Sequence, residues 1–153
     1  MDLQIKPMPA NFRPEHGLPH PKMYELLGEK GVRKMVSDHY DLLVESEIKD
    51  LFPPKGYGLE QAKERSADFF IQKLGGPDYF NQNRGEPKLS QRHSYFKITP
   101  EARIVWLGCY REALLKQNLP EDFVLAFWEY LHGFSNWMVN TPSDKEEFYI
   151  NEK

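Results

Sequence analysis

Apolar residues in this chain recur at every third or fourth position and never alternate over a useful length, a period that fits helices and argues against a sheet. Val32, Val36, Tyr40 and Leu43 form one stripe between Gly31 and about Ser46, so Tyr40 is expected to face inward. Leu59, Ala62, Ser66, Phe69 and Phe70 form a second. Ser66 interrupts its apolar face, and Gly75-Gly76-Pro77 stops it. A third face carries Trp106, Cys109, Tyr110 and Ala113. It follows Thr99-Pro100-Glu101, which reads as N-cap, first helical residue and acidic first turn. A last helix from near Pro120 to Val139 is expected to bury Val124, Phe127, Trp128, Leu131 and Met138. There is no internal repeat, and the reading is an all-α domain with helices packed in pairs.

Proline and glycine set the punctuation. Pro7, Pro9, Pro14, Pro19 and Pro21 remove backbone donors and fix φ, so residues 1–21 read as an extended Pro-rich arm, to which no chemistry is assigned. A short helix fits Lys22 to Gly28, broken between Gly28 and Gly31. The corner Leu51-Phe52-Pro53-Pro54-Lys55-Gly56-Tyr57-Gly58 is turn-rich and opens on one large apolar ring, Phe52. Residues 75–98 read as a long irregular connection with a short helix around Pro87 to His93, and a loop of that length in a small domain usually has work to do. Residues 22–142 thus form the domain, and the charged tail 143–153 is expected to fray.

Composition closes off several functions. A chain of 153 residues suits one core. With hydrophobic residues at 40% and charged residues at 28%, disorder throughout is not expected. The 14% aromatic share exceeds what a small helical core requires, leaving room for a buried planar ligand. A net charge of -3 argues against nucleic acid as a partner. The single Cys109 excludes an internal disulfide and any cysteine-held zinc or iron-sulfur cluster. No apolar run reaches the roughly 18 residues of a membrane span, and no basic-then-apolar export signal opens the chain. The expectation is a cytoplasmic protein with no membrane partner.

Five histidines are available for metal or proton chemistry. His16 and His20 have the spacing of paired helical ligands, but Pro19 and Pro21 make a regular helix there unfavourable, and a solvated arm is the simpler reading. His39 points roughly 100° away from the inward Tyr40, toward the surface or its boundary. His132 reads as a packed or hydrogen-bonded helical histidine. His93 follows Arg92, precedes Tyr95 and Phe96, and sits at the end of the irregular stretch. On its surroundings alone it is either a structural histidine or a ligand.

Three runs change that balance: Gly75-Gly76-Pro77-Asp78-Tyr79-Phe80, Arg84-Gly85-Glu86-Pro87-Lys88-Leu89 and Arg92-His93-Ser94-Tyr95-Phe96-Lys97-Ile98. With Trp106 inside Ala102-Arg103-Ile104-Val105-Trp106-Leu107 and the closing Met138-Val139-Asn140-Thr141-Pro142, this ordered set resembles group II truncated haemoglobins from about Val32 to Pro142. The resemblance implies a two-over-two helical sandwich around haem b. It implies His93 as the proximal iron ligand, Tyr40 and Trp106 as distal donors, and Phe52 packed on the haem plane. Arg65 and Arg92 fall near the propionates, and Phe69, Phe80 and Phe96 fall on the apolar wall. Ala62 stands where vertebrate-type globins place a distal histidine, and Ser66 where relatives carry Leu or Gln. The Ser66 hydroxyl can donate weakly to a ligand, hold a water or satisfy its own helix. The corner after Phe52 is longer than in some relatives, and the arm lies outside the resemblance.

The function this implies is reversible binding of oxygen, and of nitric oxide, carbon monoxide or sulfide, with slow release. The alternatives are a haem-dependent redox enzyme, peroxidase-like or removing nitric oxide with the help of a reductase, and a haem-free helical interaction module.

Overall fold

Gly28 decides how the chain enters its first long helix. Its backbone (φ 68°, ψ 177°) is open to glycine and strained for other residues, so α1 (Met23–Leu43) is kinked there and continues beyond it. The break expected over residues 28–31 is therefore confined to one residue. The computed structural model describes residues 2–15 and 17–143, and His16 and the tail from residue 144 lie outside the described residues.

After α1 come a 3₁₀ turn (Lys49–Leu51), α2 (Tyr57–Lys73), α3 (Tyr79–Arg84), α4 (Leu89–Arg92), α5 (Pro100–Leu115) and α6 (Glu121–Met138). No strand occurs among the described residues. Thr99 caps α5 as read from the sequence, its Oγ1 accepting from Ala102 N at 3.1 Å, with Pro100 opening the helix. The pair α1 and α2 packs over the pair α5 and α6, giving the two-over-two sandwich, with α1 seated against both α2 and α5. Val32, Met35, Val36, Leu107, Tyr110, Phe127 and Leu131 fill the space between the pairs. Burying each large apolar side chain contributes about 1.5–3 kcal/mol.

Three features differ from the sequence reading or add to it. His39 is not at the surface: it is 2% exposed, because α1 is covered on two sides and its face 32-35-36-39-43 turns inward. A second helix, α3, interrupts the connection read as irregular. It is pinned by Asp68, whose carboxylate accepts from Arg33 Nη2 at 3.0 Å and Arg84 Nη1 at 2.8 Å. The third is the arm, which runs without helix along α5 and α6. Leu3 is buried in the core, and the arm carbonyls of Leu3, Gln4, Lys6 and Pro14 accept from Arg111, Trp128, Arg103 and Trp137. His132 is buried as expected, donating Nδ1–H to Trp128 O and accepting the Lys6 N–H on Nε2.

Candidate functional site

α4 is a single turn whose C-terminal cap is His93. The His93 ring is half-buried, and Nδ1 donates to the carbonyl of Leu89 at 2.7 Å. A carbonyl only accepts, so the proton is on Nδ1 and the lone pair is on Nε2. That arrangement fixes the tautomer and the ring plane and leaves one nitrogen as a ligand, the chemistry required of an imidazole that holds a metal.

Tyr40 projects from α1, with its ring edge-on to Phe52 at 5.7 Å between centroids. Burial pushes its phenol above the ordinary range. Hydrogen bonding with Ser66 and the charge of Arg65 pull the other way, and the net shift is upward. Tyr40 is thus a protonated donor at neutral pH. The Ser66 hydroxyl lies close enough to the Tyr40 phenol to oppose that upward shift. Ala62, one turn earlier on α2, is buried and has no polar group to offer.

Trp106 stands on α5, and no acceptor among the described residues takes its indole N–H. Its backbone is tied to α1 by His39, whose Nε2 donates to the Trp106 carbonyl at 3.1 Å. The His39 ring lies tilted against Tyr110 at 3.9 Å and meets Trp106 edge-on at 4.9 Å. Burial lowers the His39 pKa to about 3, against the opposing effect of its bond to Trp106, so it is a neutral donor. Sequence reasoning missed this residue. The signal was the Met35 and His39 pair at helical spacing, which extends the buried face of α1 beyond a single stripe.

The apolar residues connect into one aromatic series. Trp106 meets Phe134 at 6.3 Å, Phe134 stacks on Phe69 at 5.8 Å, and Phe69 meets Phe80 at 6.1 Å. Over the Phe80 ring lie the guanidinium carbons of Arg92 at 5.0 Å and Arg84 at 5.4 Å. Arg92 also donates to the carbonyls of Pro87, Arg84 and Glu86, bracing the loop in front of His93. Arg65 is exposed. Phe96 stands outside the aromatic series and is 47% exposed. Between α2, α4 and α6 lies a cavity of about 490 Å³, lined in part by Phe69, Leu89, Phe134 and Met138. It is of ordinary ligand-site size, and it shares Leu89 with the anchor of the His93 ring.

These residues fit a planar metal macrocycle. One imidazole is held by a carbonyl with Nε2 available, aromatic rings supply an apolar wall, and a phenol and an indole are present as neutral donors. No cluster of three or more His, Cys, Asp or Glu among the described residues offers a competing metal site. An all-helical two-over-two sandwich carrying such an imidazole defines a globin-type protein.

Comparison with known proteins resolves the class further. The profile of the bacterial-like globin family matches residues 22–140. The group 2 truncated hemoglobin YjbI of Bacillus subtilis is 32% identical over 118 residues, covering 76% of this chain and 87% of the relative. Among solved structures, phosphate-bound Hell's gate globin IV superposes with a TM-score of 0.83 and 36% identity, over 92% of this chain and 88% of that one. The group II truncated hemoglobin of Bacillus anthracis gives 0.74 and 28%, over 78% and 97%. The chain belongs to the bacterial-like globins, as a group II truncated haemoglobin.

Proposed function

We propose that this chain carries haem b on His93 and reversibly binds oxygen, or another small ligand such as nitric oxide, carbon monoxide or sulfide, in a pocket with Tyr40 and Trp106 as donors. Haem is the cofactor that goes with the truncated haemoglobins. The observation that carries the assignment to His93 is its ring: with Nδ1–H donated to Leu89 O, only Nε2 is left to ligate. When bound, haem supplies an iron with one protein ligand and one open position.

The chain's own residues then set what happens in the pocket. Tyr40 is partly buried, which keeps its phenol protonated, and Ser66 lies beside it. Trp106 is oriented by the bond from His39 to its carbonyl. Two neutral donors at about 0.5–1.5 kcal/mol each slow ligand release by roughly 5-fold to 150-fold, which suits retention better than shuttling. Ala62 adds no donor. Phe52, Phe69 and Phe80 form the apolar wall, and the part-exposed Phe96 ring provides apolar surface for the macrocycle edge. Arg65 and Arg92 supply positive charge for the propionates. The working context is the cytoplasm, with a reductase as partner. Among the described residues no helix is long and apolar enough to cross a membrane.

Titration of the purified protein with haem tests this reading. The expected result is a stoichiometric Soret band, a five-coordinate ferrous spectrum and slow oxygen release in stopped flow. The absence of a Soret band removes the haem assignment. Fast release with rapid peroxide turnover moves the function to a redox enzyme.

A further inference from the structure

α4 has only four residues, too few to hold its own geometry, and the chain that leaves it makes no regular structure until Pro100. That connection is fastened by Asn140, which lies just beyond α6. Asn140 Nδ2 donates to the carbonyl of His93 at 3.1 Å and to that of Phe96 at 2.8 Å. Its Oδ1 accepts the Ile98 N–H at 3.0 Å, and its own N–H donates to Ile98 O at 3.0 Å. Asn140 is itself held from behind. Arg13 in the arm donates to Val139 O at 2.8 Å and to Asn136 O at 3.3 Å, and the Val139 side chain is fully buried.

We infer that Asn140 is a positioning residue for the proximal histidine, an inference that rests on the proposed ligation of iron by His93. Leu89 restrains the ring through Nδ1, and Asn140 restrains the backbone through the His93 carbonyl. Together they fix the direction of Nε2. The residue type follows from the geometry. Two N–H donors and one acceptor oxygen, which also takes the Thr141 Oγ1–H, fit these partners on a single planar group, whereas an aspartate has no donor for the two carbonyls and an alanine has neither. The arm reaches the site by this route, from Arg13 through the end of α6 to Asn140 and His93. Ser90 forms a parallel link, its Oγ donating to Trp137 O, without a side-chain hydrogen bond to residues 93–98.

The test compares wild type, Asn140→Asp, Asn140→Ala and Ser90→Ala as haem-loaded proteins. Three quantities are read: the iron–histidine stretching band of the ferrous form, the rate of haem loss into excess apomyoglobin, and far-ultraviolet circular dichroism. The expected result is a shifted or split band and haem loss about 5-fold faster or more in both Asn140 variants. Helical signal stays unchanged, and Ser90→Ala keeps the wild-type band. Hydrogen exchange of the Ile98 amide accelerates in the same two variants. An unchanged band and loss rate in both Asn140 variants overturn the inference. So does a general loss of helix in both, which makes the residue a support of the whole fold. A wild-type protein without histidine-ligated iron instead refutes the proposed function, and takes this inference with it.

Discussion

Acidification provides a quantitative test of the buried His39. Its folded pKa is about 3 against an ordinary value of 6.5, so the proton is taken up by the unfolded chain first. The stability contributed by the neutral ring is complete above pH 6.5 and is lost as pH falls from there toward 3. One pH unit corresponds to about 1.36 kcal/mol, so between pH 6.5 and 5 this single residue removes about 2 kcal/mol. His39→Phe keeps a ring against Tyr110 and abolishes the titration. It also loses the bond to Trp106 O, which lowers stability at every pH without adding to its slope. His132, lowered in the same direction by burial, is present in both proteins and cancels. Urea unfolding at pH 7, 6 and 5 should therefore show wild type losing about 2 kcal/mol more than His39→Phe. Identical pH dependence in the two proteins refutes a buried, neutral His39.

Other parts of the molecule make separate predictions. Trp106→Phe removes the indole donor and should speed oxygen dissociation by up to about tenfold in stopped flow. Asp68→Ala leaves Arg33 and Arg84 without their shared carboxylate, whose side chain is only 4% exposed. Since both arginines keep some solvent, the expected loss is about 2 kcal/mol in denaturant unfolding, below the range for a fully buried pair. Leu3→Ala should cost about 2–3 kcal/mol by the same measurement, a cost that an undocked arm would not show.

What could be read from the sequence was local. The Thr99-Pro100 start of α5 and the apolar face of α6 depend on neighbours within a turn or two, and both stand as expected except that Met138 is only half-buried. Tyr40 and Trp106 were singled out from ordered motifs, and both pack against the core. The partner that orients Trp106 was not, because His39 is buried by a second covering helix rather than by its own stripe. α3 escaped because six residues carry too little periodicity, and because Asp68, which pins it, is on another helix. The docking of the arm left no pattern: Arg103, Arg111, Trp128 and Trp137 bind backbone carbonyls there, and every residue has a carbonyl. The same holds for Asn140, whose motif was recognised without its partners.

His93 as the iron ligand is tested most directly by removing the imidazole and returning it. Ferrous wild-type protein should show an iron–histidine stretching band in resonance Raman spectra. His93→Gly should lose that band together with stable haem, and free imidazole should restore a five-coordinate ferrous spectrum. A His93→Gly protein that keeps the wild-type band without imidazole places the iron on another residue and contradicts the account.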